Sequence, residues 1–304
     1  MKNRNKISTC LWFEDQAEEA ANFYTSVFDH SQITATAHYT EESVGPSGKP
    51  VHSVMTVGFE IEGFQFVALN GGAQFKINPS VSFILNFDPS MIENSREKLE
   101  QTWNRLKENG EVLMELGEYP FSPQYGWVKD QFGATWQLML TNPEGEDRPF
   151  ITPSLMFIGD NNKKAEQAVR FYTDIFSNSK IGNLHRYPND IGPAKKGSIM
   201  YGDFMIENTW IAAMDSGVEH DFSFNEAISI VVNCNDQEEI DHYWDKLSDV
   251  PEAEQCGWLK DKYGLSWQIV PYNIDELTQS PEATKALMQM KKLDIETLKQ
   301  AADS

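Results

Sequence analysis

The stretch "GWVKDQFGATWQLM" at residues 126–139 returns as "GWLKDKYGLSWQIV" at residues 257–270. Seven of the fourteen positions are identical and five more exchange residues of similar shape, so the chain writes one plan twice. The match continues outward. "FYTSVFDHSQI" (23–33) pairs with "FYTDIFSNSKI" (171–181) at an offset of 148, "FVALNGG" (66–72) with "IAAMDSG" (211–217) at 145, and "VSFILNF" (81–87) with "ISIVVNC" (228–234) at 147. Trp103 meets Trp244 at 141, and the quoted window itself lies at 131. Elements are kept while connections change length, as expected when cores are shared and surface loops drift.

Within a copy, periodicity gives the order of elements. "ISTCLWF" (7–13) is a short apolar run that reads as a strand. Asp15 is placed to cap a helix over 15–28, in which Ala17, Ala20, Ala21, Tyr24, Val27 and Phe28 recur at helical spacing. Strands follow over 31–40, 51–61 and 64–70, the last two joined by a tight turn at Glu62-Gly63. The pattern then restarts: strand 81–87, a helix over 91–108 ended by Gly110, and strands near 111–117, 125–130 and 134–140. Each copy is therefore two βαβββ modules in series. In the second copy the connection from Leu247 to Gly257 is ten residues shorter than that from Leu106 to Gly126, which predicts a shortened or missing edge strand.

The expected organisation is a first domain at 1–142, a linker at 143–150 within the turn-rich "TNPEGEDRP", a second domain at 151–275 and a helical extension at 276–304. In the extension Ser280 and Pro281 stand as N-cap and first helical residue, and Asp294 can restart the helix. Net charge is 25 minus 46, or −21, with no basic run, which argues against nucleic acid and anionic membrane surfaces as partners. Three cysteines without CxxC spacing suggest neither a disulfide framework nor a thiolate zinc site. The start of the chain turns acidic too soon for a secretory leader, and no apolar run is long enough to span a membrane. The chain reads as cytoplasmic.

"LWFEDQAEEAANFYTSVF", "ALNGG", "NEAISIVVNCNDQEEIDHYWDKL" and "CGWLKDKYGLSWQIVP" together resemble the PhnB-like family of the vicinal oxygen chelate superfamily, which includes glyoxalase I, bleomycin-resistance proteins and extradiol dioxygenases. That resemblance implies an α+β fold of tandem glyoxalase-like domains, each of two βαβββ modules curled into a half-open barrel, plus a C-terminal helix. It also implies an intramolecular pseudo-dimer, with a homodimer open, and a ligand pocket in each barrel. Metal-using members hold their ion with His or Glu at four strand positions. Laid on this chain, those positions fall on Thr9, Asn70, Ser82 and Gln137 in the first domain, and on Pro153 (or Thr152), Asp215, Ser229 and Gln268 in the second.

Only Asp215 among these is ionisable. Neutral amides and hydroxyls are too weakly basic to hold a divalent transition metal, so no metal and no cofactor are expected. Trp127 and Trp258 are a repeated pair that each follow a Gly and are candidates for the pocket rim, while strand alternation turns Trp136 and Trp267 toward the helices. Asp130 and Asp261 read as turn chemistry, with Gly133 and Gly264 at positive φ. Sequences of this family often carry a demethylubiquinone methyltransferase label. This chain has no Gly-rich strand-to-helix loop to hold a nucleotide-like cofactor.

The expected function is a metal-free protein that binds a small molecule through Thr9, Asn70, Ser82, Trp127, Gln137, Asp215, Ser229, Trp258 and Gln268. Two alternatives stand beside it. One is a metal-dependent glyoxalase-like lyase or oxygenase using His38 or His52, Asp215 and a glutamine. The other is a chain in which one domain is structural only.

Overall fold

The computed structural model describes residues 5–142 and 144–303. The first four residues of the leader reading and Pro143 at the head of the linker lie outside this range. The strands are β1 (Ile7–Phe13), β2 (Ser31–His38), β3 (Val54–Ile61), β4 (Phe64–Asn70), β5 (Val81–Phe87), β6 (Glu111–Tyr119), β7 (Ser122–Lys129) and β8 (Thr135–Leu140) in the first copy. The second copy supplies β9 (Ile151–Phe157), β10 (Lys180–Arg186), β11 (Ile199–Ile206), β12 (Thr209–Asp215), β13 (Ile228–Cys234), β14 (Trp258–Lys260) and β15 (Ser266–Pro271). Helices α1 (Ala17–Val27), α2 (Ser95–Leu106), α3 (Ala165–Ile175) and α4 (Gln237–Leu247) each belong to one module. Helices α5 (Ile274–Leu277), α6 (Pro281–Gln289) and α7 (Ile295–Ala302) form the extension.

The α+β fold of paired βαβββ modules is present, yet the modules are partnered in a way the linear reading did not contain. The chain divides into two compact units, one of residues up to Ile77 together with Phe224 onward, the other of Asn78–Ser223. In the first unit a seven-stranded sheet runs β14-β15-β13-β1-β4-β3-β2, and in the second an eight-stranded sheet runs β10-β11-β12-β9-β5-β8-β7-β6. Each sheet thus joins the first module of one copy to the second module of the other, through antiparallel β1/β13 and antiparallel β5/β9. The two copies remain the repeats of the sequence. The sheets are built across them.

Core packing follows strand alternation. On one face of the first sheet, Ile7, Leu11, Phe13, Phe59, Phe66, Ile230 and Trp267 are buried beside α1 and α4; in the second sheet Phe83, Trp136, Phe157 and Phe204 do the same beside α2 and α3. Trp136 and Trp267 are tied down identically. The indole N–H donates to Asp130 at 2.7 Å in one copy and to Asp261 at 2.9 Å in the other. The second oxygen of each carboxylate accepts backbone N–H groups of the turn that follows. Gly133 and Gly264 in those turns sit at φ +94° and +81°.

One local expectation changes, and the shortened edge strand is found. Asp15 does not cap α1: the N-cap is Gln16 with no side-chain cap bond, and the Ala17 N–H donates instead to Asn70 Oδ1 at 2.8 Å. The shortened connection leaves β14 with three residues, where the first copy has the long β6/β7 hairpin. The extension takes over at that edge: Cys256 N–H donates to Met290 O and Gly257 N–H to Lys291 O, both at 2.8 Å. Ser280 and Asp294 cap α6 and α7 through the N–H groups of Ala283 and Thr297.

Candidate functional site

The face of each sheet turned away from the helices carries a repeated polar pair. On β5 and β8, Gln137 Nε2 donates to Ser82 Oγ at 2.8 Å; on β13 and β15, Gln268 Nε2 donates to Ser229 Oγ at 2.8 Å. Trp127 stands directly across from Gln137 in the β7/β8 register, and Trp258 directly across from Gln268 in β14/β15. Six of the nine candidates therefore group as two triads, Ser82-Gln137-Trp127 in one unit and Ser229-Gln268-Trp258 in the other. No charged side chain belongs to either.

Thr9, Asn70 and Asp215 do not join them. In β1 and β4 the register sets Thr9 beside Phe66 and Phe13 beside Asn70, which puts Thr9 and Asn70 on the helix-covered face. Asn70 holds the start of α1 and donates from Nδ2 to Val54 O at 2.9 Å. Asp215 is its counterpart, accepting from Ala165 N at the start of α3 at 3.1 Å and from Ile199 N at 2.9 Å. Burial pushes the Asp215 carboxyl above its ordinary value, opposed by those N–H donors. On β1, β4, β9 and β12 the expected positions reach the right stretch of strand with the opposite parity, whereas on β5, β8, β13 and β15 they share one face; a shift of one residue exchanges the two faces of a strand. Pro153 falls on the helix side with Phe83, whereas Thr152 lies on the open face and accepts from Asn86 at 3.2 Å.

Correcting the parity brings in residues the linear reading missed. β1 and β9 align as "ISTCLWF" and "ITPSLMF", so Ser8, Cys10 and Trp12 correspond to Thr152, Ser154 and Met156. Cys10 lies opposite Ser229, and Ser154 opposite Ser82. The signal was available, because Ile7, Leu11 and Phe13 form a single apolar face and leave the even positions for the other side. Burial pushes the Cys10 thiol up to about 12, against hydrogen bonds from Gln268 and Ser229, so it is a neutral group at physiological pH. In the second unit the Ser154 hydroxyl and the Trp127 indole N–H are buried without a partner among the described residues.

The open face of the second sheet continues into a cleft of about 300 Å³ lined by Asn86, Met139, His185, Tyr201, Asp203 and Arg148. Arg148, from the linker, pairs with buried Asp203 at 3.0 Å and lies 3.8 Å above the Trp210 ring. Its donors are also turned to Glu146 and the Asp147 carbonyl, so it serves to anchor the linker on the sheet.

Residues 5–139 and 149–270 match the model of the family described as 3-demethylubiquinone-9 3-methyltransferase. The chain belongs to this family. A solved PhnB protein of Bacillus cereus that carries the family's description is 35% identical over 45% of this chain and 100% of its own, with a TM-score of 0.39. Glyoxalase I of Zea mays is similar over 90% of this chain and 94% of its own at 12% identity, with a TM-score of 0.54, a likeness of fold. No curated protein matches the chain.

Neither group that these relationships imply fits the residues present. For a divalent metal, no three His, Cys, Asp or Glu side chains among the described residues are grouped to hold one. His38 and His52 are exposed, and Asp215 is occupied at a helix start. For a methyl-donor cofactor held as dinucleotides are, a Gly-rich loop from a strand into a helix would be expected, and the chain has none. At α1 and α3 the first helix amides are taken by Asn70 and Asp215.

Proposed function

We propose that this member of the family is a metal-free small-molecule-binding protein, with the ligand held on the open face of one or both sheets. The observation that carries the reading is the twinned Gln–Ser hydrogen bond, 2.8 Å in each unit. It supports the reading because an uncharged amide and hydroxyl stand, paired with each other, at positions where the resemblance would put the imidazole or carboxylate of metal-using members. A few neutral polar groups among Trp, Met and Val side chains suit recognition of a small, partly apolar molecule. A cytoplasmic setting is part of the same proposal. It is supported by three free cysteines and by the lack, among the described residues, of any helix long and apolar enough to cross a membrane.

The test uses protein purified without a polyhistidine tag, stripped with EDTA, and then followed by thermal shift. Zinc, nickel, manganese and iron(II) are expected to leave the midpoint unchanged, while a panel of small aromatic and polar metabolites yields saturable stabilisers, since a ligand at a hundred times its Kd adds about 2.7 kcal/mol. Stoichiometric metal that returns after stripping and raises the midpoint would overturn the reading in favour of a metal-dependent lyase or oxygenase.

A further inference from the structure

The two glutamines are equivalent in sequence and differ in what they leave open. Gln137 is 4% exposed and both ends of its amide are used: Nε2 donates to Ser82, and Oε1 accepts the Tyr125 hydroxyl at 2.7 Å. The residue equivalent to Tyr125 at the same offset of 131 is Cys256. Its thiol is turned to the extension, toward Leu287 O at 3.4 Å and Met288 Sδ at 3.9 Å. Gln268 is half-buried and donates to Ser229, while no O–H or N–H of the described residues donates to its Oε1; its other neighbour is the Cys10 thiol, a weak hydrogen-bonding partner.

A second difference falls beside the first. Trp12, on the same face of β1 as Cys10, has Met156 as its counterpart in the other unit. Its ring centroid is 6.0 Å from that of Trp258 at an interplanar angle of 82°, and 5.1 Å from that of Phe75. The Trp12 indole N–H is spent on Gly72 O at 2.7 Å, and the ring lies so close to Gly71 that a Cβ there would meet it at 2.2 Å. The indole is thereby fixed as an apolar wall. An aromatic corner and an open carbonyl oxygen occur together on this face; in the other unit Met156 stands in place of Trp12, and the aromatic group of Tyr119, Phe121 and Tyr125 closes the glutamine's acceptor instead of leaving it open.

We infer that the two copies have divided their roles: the Gln268 face takes a flat, uncharged molecule that donates one O–H or N–H to Gln268 Oε1, whereas the chain itself fills the same acceptor of Gln137 with Tyr125. The inference rests on the small-molecule-binding reading and adds to it the site and the chemical class of ligand. A donor is required because the free group is an acceptor, and a charged ligand is disfavoured because Gln268, Ser229 and Cys10 offer no countercharge.

The experiment is a ¹H–¹⁵N titration of the full chain with phenol and with anisole, which share a ring and differ in the donated proton. Glutamine side-chain amides and tryptophan indole N–H groups serve as reporters. Phenol is expected to move the Gln268 and Trp258 signals and to bind about fivefold more tightly than anisole, the worth of one net hydrogen bond. In Gln268→Leu the two probes should bind equally, and Gln268→Glu, which keeps an acceptor, should retain the preference for phenol; backbone spectra verify that each variant is folded. Equal binding in the native chain, or a preference that survives Gln268→Leu, overturns the inference. Shifts confined to Trp127 and Gln137 overturn it while leaving the small-molecule reading intact, and no shifts with either probe sink both.

Discussion

Asn70 and Asp215 show how one position in a repeat acquires two chemistries. Each ends the last strand of its module and accepts the first N–H of that same module's helix, at 2.8 and 3.1 Å. The second atom then differs, because Asn70 Nδ2 donates to a carbonyl, Val54 O, whereas Asp215 Oδ2 accepts from an N–H, that of Ile199. Asn70→Asp sets oxygen against oxygen and brings a charge into a buried place. It is expected to lower the unfolding free energy by about 1 to 3 kcal/mol, read from the urea midpoint. Asp215→Asn opposes two N–H donors but removes a buried charge, so its loss should be the smaller of the two. Equal losses would show that the second bond does not matter. From the amino-acid sequence these residues looked like ligand positions, since a polar side chain in an apolar strand reads the same whether it faces a pocket or a helix end.

At the level of elements, the shortened edge and the C-terminal extension are one feature. A bare edge strand presents unpaired backbone groups that invite pairing with another chain. Where the first copy covers β7 with β6, the second has only β14, and residues 288–291 supply acceptors to Gln255, Cys256 and Gly257. Leu293 packs against Gly257, which sits at φ +86° with Ile269 O only 2.9 Å from where a Cβ would be. Gly257→Ala should therefore cost about 1 kcal/mol or more through backbone strain. Truncation before Ser280 should lower the melting temperature and produce concentration-dependent association on size exclusion; a truncated chain that stays monomeric with an unchanged melting temperature would refute this role for the extension. The ten-residue deficit and the helix caps at Ser280 and Asp294 were legible in the sequence. Their connection was not, because backbone pairing at a sheet edge leaves no mark on residue type.

For the whole molecule, the consequential pairings are β1 with β13 and β5 with β9, whose paired residues lie more than 60 positions apart in sequence. The first copy by itself contains half of each sheet. Residues 1–142 expressed alone should therefore leave the β1 and β5 edges open and associate as a dimer, with β1 of one molecule against β5 of its partner, measurable by sedimentation equilibrium. A folded monomer of that fragment would mean that its two modules can close on each other.

The amino-acid sequence by itself determined the two copies, the alternation of strands and helices within them, the caps at Ser280 and Asp294, the turns at Gly133 and Gly264, and the uncharged character of the glutamine positions. All of these are written in residue type and in short periods of two or about 3.6 residues. Only the tertiary structure decided which modules share a sheet, which parity of each strand faces away from the helices, and that Tyr125 closes the acceptor of one glutamine while Cys256 leaves that of the half-buried other one unfilled. Those outcomes depend on hydrogen bonds between backbone groups that are alike at every residue and on contacts between distant segments, so no local pattern records them.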